Sequence, residues 1–189
     1  MTESKVMYTP LAEARWAYLV EPRAQMDPDK PYAWSVDLVM PAKDPKTIAF
    51  QKKLEEAFVA EHGANKRRSD KGFPMKPDKE NPDLLVVKLK AQQLTRRDGS
   101  TAPGPTVIDA KKKPWDGSSI GNGSQLITAF KIHPWTRPEG CGISLILKAA
   151  QVVHFVPYLQ DDGVDGFDEQ EGYSIPSAAA VFDEFDDGL

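Results

Sequence analysis

Lysines and arginines recur beside aromatic rings in this chain, and that pairing has a chemistry. Arg67 and Arg68 precede Phe73; Lys111, Lys112 and Lys113 precede Trp115; Lys131 leads into Trp135. Cations neutralise backbone phosphates, while aromatic rings stack on nucleobases whatever the base, each stack contributing on the order of 1 to 3 kcal/mol. Trp16 and Tyr18 add two rings, and Lys88, Lys90, Arg96 and Arg97 add four cations. As a set these residues suit a polyanion whose bases are unstacked, which is single-stranded nucleic acid. Taken one at a time, each has a plainer reading as a solvated loop cation or a core-filling ring. Trp34, in an apolar strand register, is expected in the core.

Other chemistries find little support. The three histidines, His62, His133 and His154, do not stand at metal-ligand spacing, and Cys141 is the only cysteine, so no internal disulfide is possible. No nucleophile-base signature surrounds any of them. The glycines of Gly121-Asn122-Gly123 do not follow the Walker pattern and no GK[ST] comes after them, so a mobile turn between strands is expected. Neither an enzyme, a cofactor nor a metal is expected.

The formal net charge of −4 hides a division within the chain. Residues 160–189 hold ten acids and no lysine or arginine, which leaves 24 bases against 18 acids in residues 1–159. A body of +6 with a tail of −10 suggests a polyanion-binding domain whose tail addresses something else, its own binding face included. The N-terminus has no apolar leader-like run, and ISLILKAAQVVHFV is too short to span a bilayer and carries Lys148, so a cytoplasmic protein is expected. The expected domains are residues 1–159, folded, and residues 160–189, an acidic and disordered interaction tail.

The elements that must position these residues can be read from periodicity. RWAYLVEP and YAWSVDLVM are expected strands; in the second, Trp34, Val36, Leu38 and Met40 alternate with Ala33, Ser35, Asp37 and Val39. Asp44 as N-cap, Pro45 in the first turn, Phe50, Leu54 and Phe58 at i, i+4, i+8, and Gly63 as stop mark one helix. Residues 64–83 read as a long basic loop. LLVVKLKAQQL puts Lys88, Lys90 and Gln92 on one strand face and Val87, Leu89 and Ala91 on the other. TVIDA, QLITAFKIH and ISLILKAAQVVHFVPY complete the strands, with a basic, glycine-rich loop, KKKPWDGSSIGNGS, between the first two. Five or six strands with one helix in a connection indicate a mainly β fold, an OB-fold-like antiparallel Greek-key barrel with long basic loops.

From Lys111 onward, the order KKKPWDGSSIGNGSQLITAFKIHPW, GCGISLILKAAQVVHFVPY and FDEFDDGL resembles the single-stranded DNA-binding proteins of tailed bacteriophages, that of an Enterobacter phage in particular. The resemblance implies an OB-fold that holds single-stranded DNA in replication, recombination and repair, and a tail that contacts replication proteins. Carried onto this chain, the tail role falls on Phe182, Asp183, Glu184, Phe185, Asp186 and Asp187. The choice of DNA-contacting residues rests on the charge and aromatic argument alone. The residues leave DNA against RNA and monomer against homodimer open. A different class, an interaction or inhibitor protein whose acidic tail mimics nucleic acid, predicts a protein partner and negligible DNA affinity.

Overall fold

A computed structural model describes residues 5–159 of the chain. The acidic segment 160–189, with Phe182, Asp183, Glu184, Phe185, Asp186 and Asp187, lies outside the described residues.

The strands are β1 (Met7–Tyr8), β2 (Ala12–Arg23), β3 (Ala33–Pro41), β4 (Met75–Pro77), β5 (Leu84–Gln92), β6 (Thr106–Asp109), β7 (Gln125–Arg137) and β8 (Gly140–His154), and the helix is α1 (Pro45–His62). Five of them close a ring: β2 pairs β3, β3 pairs β5, β5 pairs β8, β8 pairs β7, and β7 returns to β2. This is the five-stranded OB-fold barrel. The expectation of an antiparallel barrel needs one refinement, because a ring with an odd number of strands cannot alternate direction all the way round. Here β5 and β8 run parallel through Leu89–Leu145 and Lys90–Ile146, and β6 joins β8 in parallel as well.

Strand alternation fills the barrel. Trp34, Val36, Leu38 and Met40 of β3 face inward with Val87 and Leu89 of β5, Leu126 and Phe130 of β7, and Leu145 and Leu147 of β8. On β2 the inward set is Ala12 and Ala14, then Leu19, an odd step that reverses the faces of the strand. A register shift between Arg15 and Tyr18 marks the bulge responsible.

Helix α1 begins and ends as its punctuation requires. Asp44 Oδ1 accepts from the Lys46 amide at 2.7 Å, Pro45 occupies the first turn, and Gly63, at φ +85°, donates its amide to Val59 O at 2.8 Å. Phe50, Leu54 and Phe58 bury one stripe, and Phe50 meets Phe130 edge-on at 5.9 Å. At roughly 1.5 to 3 kcal/mol per buried side chain, that stripe is what keeps an otherwise polar helix on the barrel.

The segment expected as a loop over residues 64–83 contains β4, which pairs β5 through Met75–Val87, and an isolated bridge from Arg68 to Cys141. The turn at Gly121–Gly123, expected to be mobile, is pinned on two sides. Gly123 donates to Ala14 O and Gly121 to Val156 O, and the Ser124 hydroxyl bonds both the amide and the carbonyl of Val156. Among the described residues no helix is long and apolar enough to cross a membrane.

Candidate nucleic-acid interface

Outward-facing residues of neighbouring strands line up in rows across the barrel. Arg15 of β2 stands beside Asp37 of β3, and Asp37 beside Lys88 of β5. In the next row Tyr18 pairs with Ser35, Ser35 with Lys90, Lys90 with Ile146 of β8, and Ile146 with Lys131 of β7. Two clefts of about 900 and 850 Å³ lie over this face and share Lys71, Lys90, Ser144 and Leu145, so they form one groove. The first cleft is walled by Trp16, Phe73 and the 74–80 segment, the second by Trp135, Arg137 and the 94–105 connection.

The groove is cationic but not uniformly so. Arg15, Lys71, Lys76, Lys79, Lys88, Lys90, Arg137 and Lys148 line it, against Asp37, Asp78, Glu80 and Glu139. Three of the cations are held by carboxylates: Arg15 donates to Asp78 at 2.9 Å, Lys88 stands 3.3 Å from Asp37, and Arg137 lies 4.0 Å from Glu139. The hydrogen bond from Arg15, helped by its charge, holds the Asp78 carboxyl below the usual carboxylate range. The other five lysines make no ion pair among the described residues. Burial pushes the Lys90 ammonium below the ordinary lysine range, with repulsion from Lys30 adding to it, and Lys90 bonds the Gln25 side-chain oxygen.

Three of the expected rings line the groove. Trp16 is 59% exposed and adopts φ +52°, a left-handed conformation that costs an L residue about 1 to 2 kcal/mol. Its amide donates to Asn122 Oδ1 at 2.8 Å. Phe73 is half-buried and backed by the Arg68 guanidinium 4.6 Å from its centroid. Trp135 lies along Gly142 and donates its indole N–H to Ser144 Oγ at 3.0 Å, with Arg137 5.0 Å from its ring centroid. Any Cβ at position 142 would collide with that indole, so glycine is required there.

Of the residues singled out from sequence, Trp16, Phe73, Lys88, Lys90 and Trp135 come together in the groove. Lys131 is half-buried on β7, one position beyond Ile146 in the Lys90 row. Tyr18 lies under Arg23, whose guanidinium stands 4.7 Å from the ring and donates to Tyr18 Oη. Arg67 is exposed, but its carbonyl accepts from the Cys141 amide and thiol. Arg68 is engaged inside the molecule, donating to both Glu55 carboxylate oxygens between Phe58 and Phe73. Arg96 and Arg97 stand exposed in the turn after β5. Lys111, Lys112 and Lys113 wrap the Asp109 carboxylate through backbone amides of the first and third, and Trp115 packs edge-on against Phe155 at 5.0 Å. That cluster lines neither cleft.

Sequence reasoning did not single out Arg15, Lys71, Lys76, Lys79, Arg137 or Lys148, which the fold gathers from four segments: β2, the 71–79 stretch, β7 and β8. A weak signal existed for Lys148, which breaks an apolar strand at an outward position. Trp34 is buried as expected, yet its ring edge reaches the second cleft, where Gly104 packs so closely that a Cβ would sit 2.5 Å from Trp34 Cε2.

No protein-family model matches the chain, and no curated protein matches it significantly. Solved structures do match. The single-stranded DNA-binding protein gp2.5 encoded by bacteriophage T7 superposes with a TM-score of 0.64 at 24% identity, covering 92% of this chain and 100% of its own. The single-stranded DNA-binding protein from bacteriophage Enc34, in complex with single-stranded DNA, gives 0.61 at 12% identity over 81% of this chain and 89% of its own. Its C-terminal truncation gives 0.63 at 14% identity over 81% and 88%. The chain therefore has the fold of phage single-stranded DNA-binding proteins, the family its motifs resemble.

Proposed function

We propose that this chain is a non-enzymatic, sequence-independent single-stranded DNA-binding protein of phage replication, recombination and repair, acting in the host cytoplasm. The observation that carries the reading is the groove, in which cations from β2, β5, β8 and the 71–79 segment surround three rings on the outer face of an OB barrel. OB-folds bind oligonucleotides on the face of their second and third strands, here β3 and β5. Phosphates would follow the lysines while bases stack on Trp16, Phe73 and Trp135. Since every base offers a π-face, such binding does not depend on base identity. The likeness to two phage proteins whose names state this activity supports the same reading.

The tail is assigned from sequence. Its ten acids oppose the basic body, so it competes with DNA when the groove is empty, and Phe182 and Phe185, set among Asp183, Glu184, Asp186 and Asp187, are offered to replication proteins once DNA displaces it.

Counterion release supplies the test. With five lysines that make no ion pair among the described residues and three paired cations in the groove, log K for single strands should fall with log salt at a slope between about −3.5 and −5.6, at about −0.7 per phosphate. A fluorescence titration with equal lengths of single strand and duplex measures this. A flat salt dependence, or duplex bound as tightly as single strand, would overturn the assignment.

A further inference from the structure

We propose that Asn122 is a positioning residue that holds Trp16 out over the groove as a stacking platform, an inference that rests on the single-strand reading above. Continued alternation from Ala12 and Ala14 would turn residue 16 into the barrel, where the core is already filled. Instead the chain bulges between Arg15 and Tyr18, Trp16 takes φ +52°, and the strand faces reverse so that Leu19 enters the core and the indole faces solvent. A bulky residue rarely adopts that conformation without a compensating bond. The bond is the one from the Trp16 amide to Asn122 Oδ1 at 2.8 Å.

Asn122 can serve as a fixed point because its turn is clamped from both sides. Towards β2, Gly123 donates to Ala14 O and Ala14 to Ser124 O. Towards the end of the domain, Gly121 donates to Val156 O, Ser124 Oγ exchanges bonds with Val156, and Ile120 bridges Pro157. A Cβ at position 121 would sit 2.5 Å from Pro157 O, so this packing requires glycine. The glycines on either side of Asn122 therefore let the turn between strands pack tightly enough to aim one asparagine.

The test combines amide exchange with a double-mutant cycle on the full-length protein. Asn122→Ala should speed hydrogen exchange at the Trp16 amide at least about tenfold, and Asn122→Asp, which keeps an acceptor oxygen, should restore protection. Trp16→Ala should weaken single-strand binding about tenfold, the loss of one stack, and Asn122→Ala several-fold less than that. In the Trp16→Ala background, Asn122→Ala should change affinity no further. Additive losses, or Trp16→Ala binding as tightly as wild type, overturn the proposal. So does an unchanged amide in Asn122→Ala, which is measured without DNA. A wild-type protein that binds no single strand overturns the functional reading instead.

Discussion

At the scale of single residues, the groove's acids are as informative as its bases. Asp37 stands between Arg15 and Lys88 on the groove floor with its side chain 22% exposed, so it subtracts from the potential that a phosphate meets. Asp37→Asn removes that charge and frees Lys88. Single-strand affinity at low salt should rise about fivefold, from an ion pair contributing about 1 kcal/mol at a partly exposed site. Equal affinity would mean that the phosphate path avoids this row. Lys90 adds a pH dependence with a definite sign. Its pKa is lowered by burial and by Lys30, so on raising pH it loses its charge before an ordinary lysine does. Single-strand binding should therefore weaken between about pH 7 and about pH 10 more in wild type than in Lys90→Arg, whose guanidinium stays protonated. Over the window between its lowered pKa and 10.5 the unfolded chain binds the extra proton, so Lys90's contribution to stability rises as affinity falls. Parallel titrations and thermal melts of the two proteins check both halves. Lys88 and Lys90 were legible from strand alternation alone, because a period of two needs only local sequence. Arg15 was not, because its value comes from a register with Asp37 across a bulged strand.

At the scale of elements, the helix was readable to its caps, while the segment after it was not. Asp44, Pro45, the Phe50-Leu54-Phe58 stripe and Gly63 act within a few residues of one another. The three residues of β4 have no period to read, and they become a strand only by pairing with β5. Arg68 shows the same difference. In sequence it is one more loop cation, whereas in the fold it joins Glu55 and Phe58 of α1 to Phe73 of the groove wall. Arg68→Ala should lower stability by about 1 to 2 kcal/mol, and Arg67→Ala by about 0.5 kcal/mol or less. Denaturant unfolding of the two variants decides it, and equal losses would show that the clamp contributes nothing.

At the scale of the whole molecule, charge is partitioned along the chain rather than balanced around it. Deleting residues 160–189 changes the formal charge from −4 to +6. If the tail competes for the groove, single-strand binding should tighten about tenfold at low salt. The two proteins should converge near 1 M salt, where the screening length is about 3 Å. An affinity unchanged at low salt would remove the competition mechanism while leaving the groove's assignment intact.

Local rules were enough for the mainly β character of the chain, its helix, the inward faces of β3 and β5 and the division into basic body and acidic tail. Each of these depends on residues near one another along the chain, through periodicity, capping or simple summation of charge. The groove depends on closure. Only when β5 and β8 meet in parallel does Lys90 come beside Ile146, with Lys71 bordering both clefts, and only a bulge on β2 turns Trp16 outward towards them. Lys111, Lys112, Lys113 and Trp115 carry the same composition but line neither cleft, because the strands that close the barrel leave their loop outside the groove.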